Sequence, residues 1–297
     1  MPYDSAMADI TLIGPGAIGA TVAAWLAQKP EHHVSVAART AFDSIVLETP
    51  GGRIEASPRV LTDPAQGSVA DWVLVATKAY DSAAAARWFD RSAGPRTRLA
   101  VIQNGVEHVE RFARYFDADR IVPVMIDCPA SRTAPGRVTL GGPLHIAVPA
   151  GVDGAAFVAL FAGLDLDVRE TPDFKTAAWK KLCLNSAGIV QTVLLAPAGI
   201  AHHDGVAELL RAIVRECIAV GRARGAILGD EIADEIVDRM RRGPRDAANS
   251  MLVDRRAGRS MEVDARNGVI VRYGREHGIP TPVNALMVAM LEAVDRT

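Results

Sequence analysis

Asp9-Ile-Thr-Leu-Ile-Gly-Pro-Gly-Ala-Ile-Gly19 decides the fold, because an apolar strand runs into a glycine-rich turn that opens a helix. In this context Gly14 permits a tight turn, Gly16 lets a backbone approach a pyrophosphate, and Gly19 allows close packing of helix on strand. The helix N-terminus adds amide donors and a positive dipole end. The stretch therefore predicts a dinucleotide site, whose candidate cofactor-binding residues are Gly14, Pro15, Gly16, Ala17, Ile18 and Gly19.

The end of the next predicted strand, His33–Ala38, indicates which dinucleotide binds. An NAD enzyme usually carries Asp or Glu at this point to bind the ribose hydroxyls. Here the chain reads Arg39-Thr40, and no acid follows until Asp43. Arg39 can bind a 2′-phosphate by charge and hydrogen bonds, and Thr40 can add a hydroxyl group. The sequence therefore favours NADP(H) as cofactor, and the missing acid argues against a methyltransferase.

Strand and helix patterns alternate through the first half of the chain and then give way to long helical patterns. Alternation of this kind predicts a mostly parallel, doubly wound sheet with helices on both faces. We therefore predict an α/β protein with a Rossmann-type NADP(H)-binding domain over residues 1–170 and an all-α domain over 171–297. The main predicted elements are strands at Trp72–Ala76 and Arg98–Ile102, a hairpin around Gly51-Gly52, far-edge strands at Ile121–Met125 and Arg137–Val148, and C-terminal helices at Phe174–Leu195, Gly205–Gly225, Asp230–Arg241 and Val263–His277.

Two polar side chains follow predicted parallel strands. Lys78 comes just after Trp72–Ala76, and Asn104 just after Arg98–Ile102. Ligands of open α/β sheets bind at the carboxyl ends of the strands. We therefore predict that Lys78 and Asn104 join the glycine turn and Arg39 in the cofactor site.

Composition excludes several classes of protein. The formal net charge is -2, with 49% hydrophobic and 23% charged residues, so nothing suggests a nucleic-acid partner. The three cysteines form no C-x-x-C pair, and we expect no metal site and a reducing, cytoplasmic location. The uncharged run Leu182–His203 contains polar residues and Pro197, which favours a buried helix over a membrane span.

With these residues placed, the chain resembles the ketopantoate reductase (2-dehydropantoate 2-reductase) family over essentially its whole length. The resemblance includes the glycine turn, Lys78 and the Asn-Gly turn at Asn104. Three further segments carry it in the helical half: Trp179-Lys-Lys-Leu-Cys-Leu-Asn185, Ser250-Met-Leu-Val-Asp254 and Gly258-Arg-Ser-Met-Glu-Val-Asp264.

The resemblance implies roles for single residues. Lys181 would be the general acid that protonates the carbonyl oxygen of a 2-keto acid, and Glu262 would orient it and accept a substrate hydroxyl. Ser250 would hold the substrate carboxylate and Asn185 another substrate oxygen. Lys78 and Asn104 would place the nicotinamide and the substrate. It also implies a homodimer.

Two positions depart from the family pattern. Ile189 stands where a second asparagine is frequent, and Ala198 replaces another before Gly199. Sites that bury polar groups discriminate strongly between substrates, so the substrate can be a 2-keto acid other than ketopantoate. Two other interpretations stay open: a hydroxy-acid or opine-type dehydrogenase of the same two-domain plan, and a non-enzymatic NADP(H) sensor, which would not need Lys181 or Glu262.

Overall fold

The structure is a computed structural model that describes residues 7–295. These residues form two compact units. The first comprises residues 7–103 and Glu107–Phe174, and the second comprises Asn104–Val106 and residues 175–295. The change of unit at Phe174 lies four residues beyond the predicted boundary, and the short excursion at Asn104–Val106 was not anticipated.

The first unit contains a six-stranded sheet in the order β5-β2-β1-β6-β7-β8, and all its pairs are parallel. Its central strands are buried on both faces, which explains their continuous apolar sequences. The predicted fold class is confirmed. The strands of this unit are β1 Asp9–Ile13, β2 His33–Ala37, β3 Ile45–Thr49, β4 Gly52–Ala56, β5 Arg59–Leu61, β6 Trp72–Val75, β7 Arg98–Val101, β8 Ile121–Pro123, β9 Met125–Asp127, β10 Ala130–Ala134, β11 Arg137–Leu140, β12 His145–Pro149 and β13 Asp167–Thr171.

The helices of the first unit are shorter than their sequence patterns suggest. The helix after the glycine turn ends at Leu26, and the Ala-rich segment breaks into two pieces around Arg87-Trp88. These helices are α1 Ala17–Leu26, α2 Ser82–Ala86, α3 Phe89–Ser92, α4 His108–Phe112 and α5 Val152–Ala159.

One strand prediction holds and one is wrong. The hairpin around Gly51-Gly52 is confirmed, since β3 and β4 pair antiparallel. The segment Arg137–Val148 was predicted at the far edge of the main sheet, but β11 pairs with β10 and β3, and β12 pairs with β9 and β13. Gly141-Gly142-Pro143 separates β11 from β12, and the alternating burial of β11 fits a sheet covered on one face.

The second unit is helical, as predicted. The helices are α6 Phe174–Ala187, α7 Ile189–Leu194, α8 Asp204–Ala223, α9 Ile232–Arg242, α10 Ser250–Arg256, α11 Val269–Glu276 and α12 Pro282–Asp295. The predicted helix Phe174–Leu195 is interrupted at Gly188, and the segment Asp264–Gly268 ahead of α11 is π-helical. Helix α10 was not predicted. None of the helices in residues 7–295 has the length and apolar character needed to cross a bilayer.

Candidate active site

The glycine turn between β1 and α1 has a backbone that requires its glycines. Gly14 has a φ of 91°, and a Cβ there would lie 2.6 Å from Cγ2 of Thr77. A Cβ on Gly19 would lie 2.2 Å from the carbonyl oxygen of Gly14. Both positions therefore exclude a side chain, one by conformation and contact and the other by close packing of helix on strand.

Gly16 differs from its neighbours, because a Cβ placed there would meet no atom within 4 Å. It is the N-cap of α1, whose first turn holds no acidic residue. The amide groups of Ala17, Ile18 and Gly19 belong to this first turn and have no acceptor within the helix. An open approach to unsatisfied amides at a helix N-terminus fits the pyrophosphate of a dinucleotide.

Arg39 follows β2 and reaches a residue to which sequence analysis assigned no role. Its NH2 donates to Oδ2 of Asp81 over 2.6 Å, in the turn after β6. The Arg39 side chain is 80% exposed and that of Asp81 is 25% exposed. Thr40, the other candidate at this end of β2, is also exposed. Arg39, the residue predicted to bind a 2′-phosphate, thus already forms an ion pair with Asp81.

Lys78 is half-buried and caps the short 3-10 turn Ala79–Asp81 after β6. The buried side chain of Gln103 fastens this turn: its Nε2 donates to Oγ1 of Thr77 at 3.1 Å and to the Lys78 carbonyl at 3.3 Å. Gln103, which precedes Asn104, was not predicted to have a role. A polar residue at the end of a buried strand was the available signal.

In the second unit the structure joins two predicted site residues that are far apart in sequence. Nδ2 of Asn104 donates to Oε2 of Glu262 over 2.9 Å. Glu262 is only 5% exposed, and Asn104 is half-buried. A hydrogen bond to a buried carboxylate is charge-assisted and holds that carboxylate in one orientation.

Lys181 and Asn185 lie on α6 at a spacing of four residues, so they share one face of the helix. Both side chains are half-buried, whereas Lys180 is exposed. Trp179 and Leu182, which flank the pair of lysines, are packed in the apolar core. The helix therefore presents Lys181 and Lys180 to different environments.

The C-terminal end of α6 is held by side chains that sequence analysis did not single out. NH2 of Arg266 donates to the Asn185 carbonyl, Nδ2 of Asn267 to the Ser186 carbonyl at 3.1 Å, and Nδ2 of Asn249 to the Gly188 carbonyl at 2.7 Å. The first two carbonyls lie in the last turn of α6, where intrahelical donors run out, and Gly188 separates α6 from α7. The three side chains thus fix the helix that carries Lys181.

Arg266 is buried, and its Nε lacks a hydrogen-bond partner. Burial lowers the pKa of Arg266 to about 10, while the charges of Glu262 and Asp254 act in the opposite direction. The guanidinium therefore remains charged at neutral pH, close enough to the carboxylate of Glu262 for the two charges to attract each other.

The remaining predicted positions fall in distinct places. Ser250 is exposed and begins α10, whose cap is Asn249. Ile189 is fully buried in the apolar core of the second unit, and Ala198 is buried at the start of a 3-10 turn. Apolar residues at these two positions thus have apolar or tightly packed surroundings.

Comparisons with known proteins cover nearly the whole chain. The family model described as ketopantoate reductase PanE/ApbA matches residues 10–152, and its C-terminal counterpart matches residues 173–295. A 2-dehydropantoate 2-reductase from Caulobacter vibrioides is 52% identical over 287 residues, which are 97% of this chain and 99% of that protein.

Solved structures of similar architecture agree. A PanE/ApbA family ketopantoate reductase from Ralstonia eutropha JMP134 superposes with a TM-score of 0.89 at 27% identity, covering 97% of this chain and 98% of that one. A dimeric ketopantoate reductase from Staphylococcus aureus gives a TM-score of 0.87 at 22% identity, covering 97% and 99%. At that identity the second likeness concerns the fold alone.

Proposed function

Because the chain belongs to the ketopantoate reductase family, we propose that it reduces a 2-keto acid, ketopantoate or a related compound, with NADPH as reductant. The observation that carries the proposal is the hydrogen bond between Asn104 and the buried carboxylate of Glu262. It joins two predicted site residues 158 positions apart in sequence. A nucleotide sensor would have no need of such a carboxylate.

The first unit would hold the cofactor. The amides of Ala17 and Ile18 would bind the pyrophosphate above Gly16, and Arg39 with Thr40 would bind the 2′-phosphate. Lys78 would contact the nicotinamide half, its turn being fastened by Gln103. The bound nucleotide supplies a hydride for the keto carbon.

The second unit would supply the proton. Reduction builds negative charge on the carbonyl oxygen, and the Lys181 ammonium would stabilise this oxygen and then transfer a proton to it. A positioned general acid of this kind contributes about 10²–10⁴-fold to the rate. Glu262 would orient Lys181, and Asn104 would orient Glu262 through the observed hydrogen bond.

The same unit would recognise the substrate. Ser250 would bind the carboxylate, Asn185 a second oxygen, and Glu262 a hydroxyl group. Because Glu262 is buried, a substrate that lacks this hydroxyl would leave the carboxylate with its bond from Asn104 but without the bond from the substrate. Ile189 and Ala198, where the family often has asparagine, would make the site less polar and leave room for an acid other than ketopantoate.

A homodimer is part of the proposal. Leu286, Met290 and Val294 are exposed and follow each other at four-residue intervals on α12, forming an apolar stripe. The Staphylococcus aureus relative in fold is described as dimeric. Light scattering should give twice the chain mass for the parent, and the Leu286→Glu, Met290→Glu double variant should give a monomer. A dimer that persists in this variant would place the interface elsewhere.

The test of the activity is NADPH oxidation, followed optically, with a panel of 2-keto acids and with NADH as control. The panel contains ketopantoate, the same acid without its hydroxyl group, and bulkier apolar 2-keto acids. Ketopantoate is expected to exceed the hydroxyl-free analogue by at least about 100-fold in kcat/KM, because a buried hydrogen-bonding site rejects an analogue that lacks the bonding group. If no 2-keto acid accelerates oxidation, the chain is not this enzyme.

A further inference from the structure

Asp81 occupies an unusual position for a carboxylate in a site that binds a phosphorylated nucleotide. It lies in the turn after β6, while Arg39 lies after β2, and β1 with its glycine turn separates these two strands in the sheet. The Arg39 side chain extends across this edge to reach Oδ2 of Asp81 at 2.6 Å. The ion pair therefore lies at the edge where the adenosine half of the nucleotide is expected.

The pair changes what an incoming anion meets. A guanidinium has five N–H donors, so the bond to Asp81 leaves other donors for a phosphate. However, the two charges of the pair offset each other, and a phosphate bound to Arg39 would also be repelled by the nearby carboxylate of Asp81. Arg39 is thus able to bind a 2′-phosphate, but with much of its attraction offset.

A nucleotide without the 2′-phosphate meets the same carboxylate differently. Its ribose carries a 2′-hydroxyl, which donates to a carboxylate as it does in NAD-dependent Rossmann domains. The end of β2 provides no such acid, since Arg39 and Thr40 occupy it. Asp81 reaches the same place from the turn after β6.

We propose that Asp81 is a specificity-determining residue that narrows the preference for NADPH over NADH, by neutralising Arg39 and by offering an acceptor to the ribose hydroxyl. The inference rests on the proposed function, because it takes a nicotinamide nucleotide as the ligand of the first unit. Asp81 acts on nucleotide choice and takes no part in proton transfer.

The test is equilibrium binding of NADPH and NADH to the full chain, measured by nucleotide fluorescence, for the parent, Asp81→Asn and Arg39→Gln. Asparagine retains an acceptor for Arg39 and removes only the charge. At low ionic strength Asp81→Asn should raise the affinity for NADPH about fivefold and leave the affinity for NADH unchanged or lower. The gain should fall to about twofold at physiological salt, because the charges are partly exposed. An unchanged or lower ratio of NADPH to NADH affinity in Asp81→Asn overturns the inference.

Two further variants separate this inference from the proposed function. Arg39→Gln should lower the affinity for NADPH relative to that for NADH. If it does not, Arg39 does not bind the 2′-phosphate, whatever the result for Asp81→Asn. Asp153→Asn removes the carboxylate of another ion pair, with Arg98 in the same unit, and should leave both affinities unchanged. An equal effect from Asp153→Asn would show that net charge alone, and not the position of Asp81, controls binding, which also overturns the inference.

Discussion

The side-chain amide of Asn104 donates a 2.9 Å hydrogen bond to Oε2 of Glu262, linking the loop after β7 to the segment that precedes the π-helical turn. Asn104 belongs by its contacts to the helical unit, although the strand before it belongs to the first. In the proposed reaction Glu262 binds both Lys181 and a substrate hydroxyl, so its carboxylate would need a fixed orientation, which the hydrogen bond from Asn104 would provide.

Asn104→Ala should therefore lower kcat/KM by about 10–100-fold, since a hydrogen bond to a charged group is worth about 1.5–3 kcal/mol. Asn104→Asp should lower kcat/KM further, because it places a second carboxylate beside Glu262. Steady-state kinetics measure the effect, and thermal unfolding checks that both variants are folded. Parent activity in Asn104→Asp would show that this contact has no part in the reaction.

The adjacent lysines of α6 provide a matched pair of variants. Lys181→Ala should reduce kcat by about 10²–10⁴-fold with NADPH binding unchanged, because only the proton source is lost. Lys180→Ala removes the same charge from an exposed position and should retain the parent rate. Equal effects in the two variants would contradict the assignment of Lys181 as general acid.

The glycine turn allows folding and binding to be separated. Gly16→Ala should unfold at the same temperature as the parent, because its Cβ would meet no protein atom within 4 Å. The same Cβ would occupy the approach to the helix amides, so the affinity for NADPH should fall at least about tenfold. Gly19→Ala should instead destabilise the protein, since its Cβ would press on the Gly14 carbonyl. Calorimetry and nucleotide titration report the two effects. Unchanged binding in Gly16→Ala would move the pyrophosphate elsewhere.

Arg266→Met should lower kcat at least about tenfold, because the Asn185 carbonyl loses its side-chain donor and Glu262 loses a nearby positive charge. Arg272→Met is the control: Arg272 forms a partly exposed ion pair with Asp264 and contributes little. If Arg272→Met reduced kcat equally, the position of Arg266 would not matter.

The pH dependence of stability gives Arg266 a second signature. Its pKa of about 10 lies below the ordinary value for arginine, because burial disfavours the charged form in the folded state. This penalty is fully present below pH 10 and is relieved as the pH rises above 10 towards the ordinary pKa of arginine. The difference in unfolding free energy between Arg266→Met and the parent should therefore be constant from about pH 6 to 9. Denaturant titrations measure it, and a slope in that range would contradict the assigned pKa.

The cysteines should differ in reactivity. Burial raises the pKa of Cys217 well above its ordinary value, and its Sγ lies 3.5 Å from that of Cys183, also buried. Because the thiolate is the reactive form, only Cys128, which is half-buried, should react readily with a thiol reagent in the native protein. All three should react after unfolding. If all three thiols reacted rapidly in the native protein, the burial of Cys183 in α6 and Cys217 in α8 would be contradicted.

Features that depend on neighbouring residues were predictable from sequence. The glycine turn, the strands beside it and the hairpin at Gly51-Gly52 each have local signals, and the structure contains them. The sheet to which a strand belongs is harder to predict, because its sequence pattern does not indicate the strand with which it pairs. The segment Arg137–Val148 has the composition of strands, but its pairing with β3, about 90 positions earlier, has no local signal.

The missed site residues share this long-range character. Asp81 was missed because its partner Arg39, which was predicted, lies 42 positions earlier, and nothing in either segment indicates the other. Arg266 lies in the segment predicted as the helix Val263–His277, and it was given no role. The π-helical turn at Asp264–Gly268 has more residues per turn than an α-helix, so it changes which side chains face inward, and Arg266 is buried.

The membership of Asn104–Val106 in the helical unit has a consequence for how this protein can be divided. A fragment starting at Lys175 would keep the ammonium and the carboxylate but lose the amide that steadies the carboxylate. If the C-terminal half were exchanged for that of a relative, Asn104 would come from this protein and the residue at position 262 from the relative. A recombinant junction at residue 174 therefore keeps this hydrogen bond only where the parent of the N-terminal part has the asparagine and the parent of the C-terminal part has the glutamate.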